Sequence, residues 1–508
     1  IAVDVNVCRV KAGDSEYTYG ISKGPLVGGV PVTVPTNSSG ATMHAMKKRC
    51  DYAPRLKDIE VFKKGHAMLM AKFEALDTIR VDYDLIEAYF KTCAPAKAGR
   101  LLAALGGHEW TSDMGKKHVF AKQEALLKEH GAQPRIIYQG TDMYNALTGP
   151  VVMELNERMK KVFSLENPLN TGNRVIYACG VGGDKLGDLM EDSPGVAIES
   201  DMKNNDGSQS KEFRKYEAMF YRKLGAPDWF VREFAKNDKV RVWTRYGVAG
   251  TVVGERWSGE TTTTTGNFYV GVCCDQAAMD RAFVKQSTTI QGGDDQLRYV
   301  VTDNANLVKR CIELTAEDIG MKSEVVVQPT RHYATFYRKR FVRSTIGTRP
   351  VPQFGRVLSK LNLRPNRNSA VNDRDYMAGK YLSAAYEHRH VPVIRDILVN
   401  TSQSLSADPY LDVRTTKLKE MGPPADIAEF VRKTPVIPPE EFSDFLGEVY
   451  SINHDDLVNE YERFAQGCLD YCERWTQVGK NGKVYPVKNA RDYNAPKLQS
   501  QVLESLVS

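Results

Sequence analysis

Thr288 to Val301 reads TTIQGGDDQLRYVV, with Gly292, Gly293, Asp294 and Asp295 set between two short runs of β-branched and aromatic residues. Such runs suit strands, and a glycine pair closes a hairpin because glycine accepts positive φ without steric cost. A tight hairpin thrusts both carboxylates toward one edge. Hard divalent cations take oxygen ligands, often one or two carboxylates together with substrate phosphates. The turn therefore has the makings of half a phosphoryl-transfer site. A plain surface hairpin in which Asp295 merely favours the turn shares the same local pattern, so the choice between them rests on the rest of the chain.

The 508 residues are enough for several domains or one large enzyme with subdomains, and a content of 42% hydrophobic and 26% charged residues is that of a globular protein. No run approaches the roughly 18 apolar residues that cross a bilayer, and the opening IAVDVNVCRVKAGD has neither a basic start nor an apolar block. No membrane span and no secretory signal are expected. The nine cysteines form no CxxC pair, and their odd number argues against a complete disulfide framework, which predicts a reducing compartment. Cys273, Cys274, Cys468 and Cys472 are expected to be buried small hydrophobes, and His388 and His390 packing or surface residues. A net charge of +6 permits a polyanionic partner without demanding one.

The first forty residues read as extended segments and turns, and from about Met46 the chain becomes basic and helical, with further helices at Tyr83 to Cys93 and from Pro95 to Leu105. Lys122, Glu124 and Lys128 are predicted on a helix that ends near Gly131, and Pro134 then opens an extended segment carrying Arg135. An Arg and a Lys brought together there can grip a triphosphate, one as a planar fork and the other as a point charge. In GVAIESDMKNNDGSQS a short apolar strand delivers Asp201, and a polar turn follows with Asp206. Acid at a strand end is where α/β sheets place chemistry, although turn and capping roles fit the two residues equally well. The next segment, KEFRKYEAMFYRKLGA, predicts a helix capped by Ser208 or Ser210, with Phe213, Tyr216, Met219 and Phe220 on its apolar face. RWSGETTTTTGNFYVGVCCDQ predicts a glycine-hinged, hydroxyl-rich loop leading into a buried helix. After the hairpin come an amphipathic helix, Lys322 at a helix-to-strand junction, and a basic-aromatic strand over Phe336 to Arg340, able to stack on bases while its cations meet phosphates. From Thr345 onward a separate helical subdomain is predicted.

The order of these motifs resembles that of viral RNA-dependent RNA polymerases. Asp201 and Asp206 match the D-x(4,5)-D of motif A, Ser258, Gly259, Thr263 and Asn267 match the S-G-x(3)-T-x(3)-N of motif B, and Gly293, Asp294 and Asp295 match the Gly-Asp-Asp of motif C. Lys122, Glu124 and Pro134-Arg135 resemble the basic fingers motif, Lys322 the motif D lysine, and Phe336 to Arg340 the primer-grip strand. F-x-K-x-E before P-R-I-I, and G-M-K-S-E after the helix, look most like positive-strand viruses of the tombusvirus and nodavirus kind. The threonine run and the polar NNDG of motif A depart from the commonest forms.

The resemblance implies an α+β right hand, with a palm of antiparallel sheet flanked by helices, fingers, and a helical thumb. Its parts would be an N-terminal segment and fingers over 1–194, palm over 195–215, a fingers insertion over 216–253, palm again over 254–344, and thumb with a C-terminal segment over 345–508. It implies two Mg2+ or Mn2+ ions on Asp201, Asp294 and Asp295, and triphosphate contacts from Lys122 and Arg135. Ribose contacts would come from Asp206 and Asn267 with Ser258, Gly259 or Thr263, a general acid from Lys322, and RNA contacts from Phe336, Tyr337, Arg338 and Arg340. Template and product RNA and ribonucleoside triphosphates follow as partners, other viral replication proteins as companions, and the host cytoplasm as location, at membrane-associated replication complexes reached through partners or a missing segment. Reverse transcriptases carry Tyr or Phe two residues before their paired Asp, where this chain has Gly292. A non-catalytic RNA-binding subunit is the other alternative, and the intact carboxylates argue against it.

Overall fold

In the computed structural model, residues 4–7, 19–21, 33–50, 56–107, 115–124, 134–253, 256–364, 371–411, 418, 420–474, 476–478 and 484–486 are described. Strands β1 (Asp4–Val7), β2 (Tyr19–Ile21) and β3 (Thr33–Pro35) come first, then helices α1 (Ser39–Cys50), α2 (Ile59–Met70), α3 (Tyr83–Thr92) and α4 (Pro95–Gly107). Strands β4 (Lys116–Ala121) and β5 (Ile136–Gly140) are followed by α5 (Asp142–Val162), β6 (Asn173–Tyr177), α6 (Gly183–Glu191) and β7 (Val196–Met202). Next come the single turn α7 (Asn205–Ser208), α8 (Lys211–Lys223), α9 (Asp228–Lys236), β8 (Lys239–Trp243) and β9 (Val248–Val253). The centre of the chain holds α10 (Thr263–Arg281), β10 (Ser287–Gly292), β11 (Asp295–Val300), α11 (Ala305–Asp318) and β12 (Ser323–Val327). Strands β13 (Thr335–Phe336), β14 (Lys339–Ser344) and β15 (Gly347–Pro352) lead into α12 (Phe354–Leu361) and then into a helical C-terminal part.

Two five-stranded sheets dominate this α+β fold. One has the order β1-β9-β8-β4-β5, and the other the order β12-β7-β11-β10-β6. Both are antiparallel except at β4/β8 and β6/β10. The second sheet is covered on both faces, because successive side chains of a strand point to opposite sides. Ala197, Ile290, Leu297 and Tyr299 pack with Leu186, Met190 and Phe341 on one side. Ile198, Val300 and Val325 pack with Met279, Val308 and Ile312 on the other. Every residue of β10 is buried, as expected of an interior strand of a doubly covered sheet. A separate core fills the C-terminal helices around Leu398, Phe442 and Tyr461, and it takes in the buried Cys468 and Cys472.

Helix α8 is capped as expected, with the Ser210 hydroxyl accepting from the Glu212 amide 3.3 Å away. Its buried face differs from the periodic reading. Met219 is 45% exposed, while Arg214 and Glu217 are buried, because buried partners on other elements satisfy their charges. Three further expectations are corrected. Lys122 does not lie on a helix: it continues β4, its amide donating to the Arg135 carbonyl at 2.7 Å, while Lys128 and Gly131 fall outside the described residues. The threonine run is not a hinged loop, since α10 begins at Thr263 and takes Gly266 and Asn267 into its interior; burial outweighs the weak helix propensity of threonine. Phe336 to Arg340 is not one strand. Tyr337 and Arg338, at φ 50° and 60°, form the two-residue turn between β13 and β14, as a type I′ hairpin demands.

Candidate active site

The hairpin β10–β11 pairs Gly292 with Asp295, so Gly293 and Asp294 form its two-residue turn, with Gly293 at φ 63°. Asp294 and Asp295 are open to solvent there. Strand β11 pairs with β7 in a register that matches Gln296 to Ser200. Carried one step further, that register sets Asp295 against Asp201, and strand alternation brings both side chains out on the same face. Three carboxylates from two distant stretches thus share one end of the sheet. Partial desolvation by the neighbouring protein, reinforced by Asp206 and Asp201, raises the Asp294 pKa. Desolvation and the neighbouring Asp294 push Asp295 up to about 6, against the pull of Arg338 and Arg356.

The turn is held from beneath. The Gln291 amide nitrogen donates to the Gly293 carbonyl at 2.9 Å and to the Asn267 carbonyl at 3.2 Å. Gln296 in turn donates to Gln291 Oε1 at 2.7 Å. From above, the Tyr337 hydroxyl occupies the space a side chain at 292 would need, 1.4 Å from the position of an ideal Cβ. Gly292→Ala is accordingly expected to displace Tyr337 or the turn and to lower turnover about 10²-fold, the scale on which small misplacements of catalytic groups act. Steady-state kinetics beside circular dichroism check this, and wild-type turnover would show that the contact is dispensable.

Beside the hairpin, the Asn267 amide nitrogen donates to Asp206 Oδ1 at 2.9 Å, joining α10 to the turn that follows β7. Ser258 and Gly259 lie in the loop before α10. The Ser258 carbonyl accepts from the Tyr138 amide at 2.7 Å, and Gly259 stands at φ 95°. The Thr263 hydroxyl is directed to the Trp257 and Glu260 carbonyls, at 2.7 and 2.9 Å. Its proton is committed to the shape of the loop, which leaves its oxygen as an acceptor.

A family model described as RNA dependent RNA polymerase matches residues 40–406, well over half of the chain. The chain belongs to that family. No curated protein matches it.

In this polymerase Lys122 and Arg135 meet at the end of the β4/β5 ladder. Glu124 holds the Arg135 fork at 2.6 and 2.8 Å and Lys122 at 3.3 Å. Arg135 lies close enough to Asp294 and Asp206 for their charge to raise its pKa, after the larger effect of Glu124. Lys322 is exposed beside β12, whose Ser323 and Glu324 pair with Met202 and Asp201. Glu324 is taken by Lys203, and Lys322 has no ion-pair partner among the described residues. The basic-aromatic stretch is placed otherwise than in one exposed strand. Phe336 is 2% exposed within the sheet core and has no face to offer RNA. Arg340 lies over the Tyr333 and Tyr450 rings and bonds the Tyr333 carbonyl. Tyr337 covers the hairpin, and Arg338 is the member left exposed.

Two cations of the polymerase escaped the sequence reading. Arg356 and Lys360, one turn apart on α12, have their pKa values lowered, first by desolvation and then by neighbouring cations that include Arg338 and Arg135. Their i, i+4 spacing on a basic helix was the available signal, and it is indistinguishable from an ordinary solvated face.

Among the described residues, no three His, Cys, Asp or Glu side chains stand close enough to hold a metal ion unaided. The donor set nonetheless fits one. It is all oxygen, it concentrates like charge at Asp201, Asp294 and Asp295, and Mg2+ usually binds through one or two carboxylates with substrate phosphates completing its shell.

Proposed function

We propose that this RNA-dependent RNA polymerase carries out two-metal nucleotidyl transfer at the β10–β11 hairpin, copying a viral RNA. The observation that carries the reading is the register that brings Asp201 to the Asp294–Asp295 turn, with the bonded pair Asp206–Asn267 alongside. The sheet β12-β7-β11-β10-β6 then serves as palm. Its extent is residues 195–215 and 254–344, with 173–191 added because β6 pairs with β10. The β1-β9-β8-β4-β5 sheet and the helices around it serve as fingers, and residues 345–508 as thumb.

Asp201 and Asp294 are the metal ligands, and Asp295 supports them. Two divalent ions, when bound, activate the 3′-hydroxyl and neutralise charge on the leaving oxygen. Lys122 and Arg135 orient the triphosphate, with Glu124 keeping both cations extended until phosphate replaces it. Lys322, without an ion-pair partner among the described residues, donates a proton to the departing pyrophosphate, a contribution of about 10²- to 10⁴-fold. Asp206 and Asn267 contact the ribose. A cleft of about 500 Å³ is lined by Lys97, by Arg100 paired with Asp142, by Gln139 and Asn145, and by Glu260 and Thr261, and its Lys97 and amides suit a template strand. The filled space above Gly292 leaves no room for the aromatic residue that reverse transcriptases carry there, which supports RNA rather than DNA as product.

The test is extension of an RNA template with Mg2+, comparing ribonucleotides with deoxynucleotides. Asn267→Ala is expected to lower the preference for ribonucleotides about tenfold or more, since a buried hydrogen-bonding site discriminates strongly against a substrate lacking the hydroxyl. An unchanged preference removes Asn267 from that role.

A further inference from the structure

We propose that Gln209, Arg256 and Glu217 are positioning residues that set the sugar selectivity of the polymerase by dictating which way the Asn267 amide faces. This rests on the reading of Asp206 and Asn267 as the ribose-contacting pair. The two ends of an amide side chain have nearly the same shape and opposite hydrogen-bonding character. Nothing within Asn267 decides which end meets Asp206.

The Asp206 carboxylate only accepts and so favours the nitrogen end, and a chain of donors on the far side of Asn267 holds the amide that way round. A guanidinium has only N–H donors and stays charged. Arg256 Nε donates to Gln209 Oε1 at 2.9 Å, so the Gln209 oxygen must face the arginine. Its nitrogen must then face away, and Nε2 donates to Asn267 Oδ1 at 2.8 Å. The Asn267 nitrogen is left toward Asp206 Oδ1, at 2.9 Å. Polarity thus runs in one direction from a permanent cation to the carboxylate beside the nucleotide.

The cation itself is fixed. Glu217 accepts from Nη1 and Nη2 of Arg256 at 2.8 and 2.6 Å, with side chains 1% and 2% exposed respectively. The Tyr221 hydroxyl donates to Glu217 at 2.7 Å, and the Arg256 amide donates to the Asp206 carbonyl at 3.0 Å. The guanidinium lies against Gly266, where a Cβ would come within 2.1 Å of Nη1. Apolar residues of similar volume often replace a buried ion pair without loss of stability. What they cannot supply is a direction for the two amides.

The consequence is chemical. Asp206 Oδ2 has no hydrogen bond among the described residues, and Asn267 Nδ2 keeps a second N–H. An acceptor beside a donor suits a hydroxyl that donates and accepts together, as a ribose 2′-OH does. A 2′-fluoro group accepts weakly and donates nothing, and a deoxyribose does neither. With the amide reversed, two acceptors would face each other across 2.9 Å.

Gln209→Glu tests this with almost no change of shape. The new carboxylate still accepts from Arg256 but has no N–H for Asn267. The ratio of kcat/KM for ribonucleotides to that for 2′-deoxy and 2′-fluoro nucleotides should fall about tenfold, mainly through KM, with RNA affinity as in the wild type and a lowered melting temperature, because position 209 is buried and Glu217 already neutralises Arg256. Arg256→Lys, which retains the charge beside Glu217 and loses the Nε arm, should move the same ratio in the same direction and gives the reading if Gln209→Glu does not fold. A folded variant with wild-type selectivity overturns the proposal. Asn267→Ala separates the two levels: if it lowers selectivity and Gln209→Glu does not, the relay alone is wrong, whereas if neither lowers it, the ribose pair itself is misassigned.

Discussion

Asp294→Ala is expected to reduce templated extension at least about 10³-fold, a loss of several kcal/mol of transition-state stabilisation. The carboxylate lies at the tip of the β10–β11 turn, where Gln291 pins the backbone from below and Asp201 is brought up by the β7/β11 register. Removing it takes away the proposed oxygen ligand without disturbing the core, because Asp294 is exposed. RNA affinity, read by fluorescence anisotropy, should stay within about threefold of the wild type, since cationic side chains carry most of nucleic-acid binding. Extension by the variant at wild-type rate would falsify the assignment of the turn. Asp295→Ala should be less damaging, because the register gives Asp295 a supporting place against Asp201.

Arg298→Leu is expected to cost about 3–5 kcal/mol of stability, since it strands a buried carboxylate. Arg298 Nε donates to Asp275 Oδ1 at 2.7 Å, with side chains 1% and 0% exposed. The other oxygen of Asp275 accepts from Thr289 at 2.8 Å, and Arg298 also donates to Ser200 at 3.1 Å and to Gln296. One ion pair therefore ties α10 to β7, β10 and β11 beneath the end of the sheet that carries Asp201, Asp294 and Asp295. Urea unfolding followed by circular dichroism measures the loss. The double variant Asp275→Leu with Arg298→Leu should recover part of it, because no charge is then left uncompensated. If the single variant unfolds at the same urea concentration as the wild type, the pair has no structural role.

The carboxylates were legible in the sequence because their geometry is local. Two glycines mark a turn, and a short apolar run marks the strand that presents Asp201. Asn267 was legible through its spacing from Ser258, although its place inside a helix was not. The threonines before it favour extended backbone, and only burial of α10 against neighbouring elements draws them into a helix. Lys122 was misplaced for a related reason: a run of charged and apolar residues fits a helical period until its ladder partner, Arg135, is known.

The two buried networks had no local signal. Glu217, Arg256, Asp275 and Arg298 carry no local pattern that sets them apart from other charged residues, and each finds its partner 39 or 23 positions away. Phe336 and Arg340 had the composition of an RNA-binding strand, yet packing took the first into the core and the second onto Tyr333 and Tyr450. The chain by itself determined which groups can do the chemistry, since donor type and turn geometry depend only on nearby residues. Tertiary structure alone decided which charges are buried, which amide end faces Asp206 and what lies above Gly292. Desolvation and hydrogen-bond polarity depend on neighbours that only folding brings together, and that is how the Gly-Gly-Asp-Asp turn acquires its surroundings.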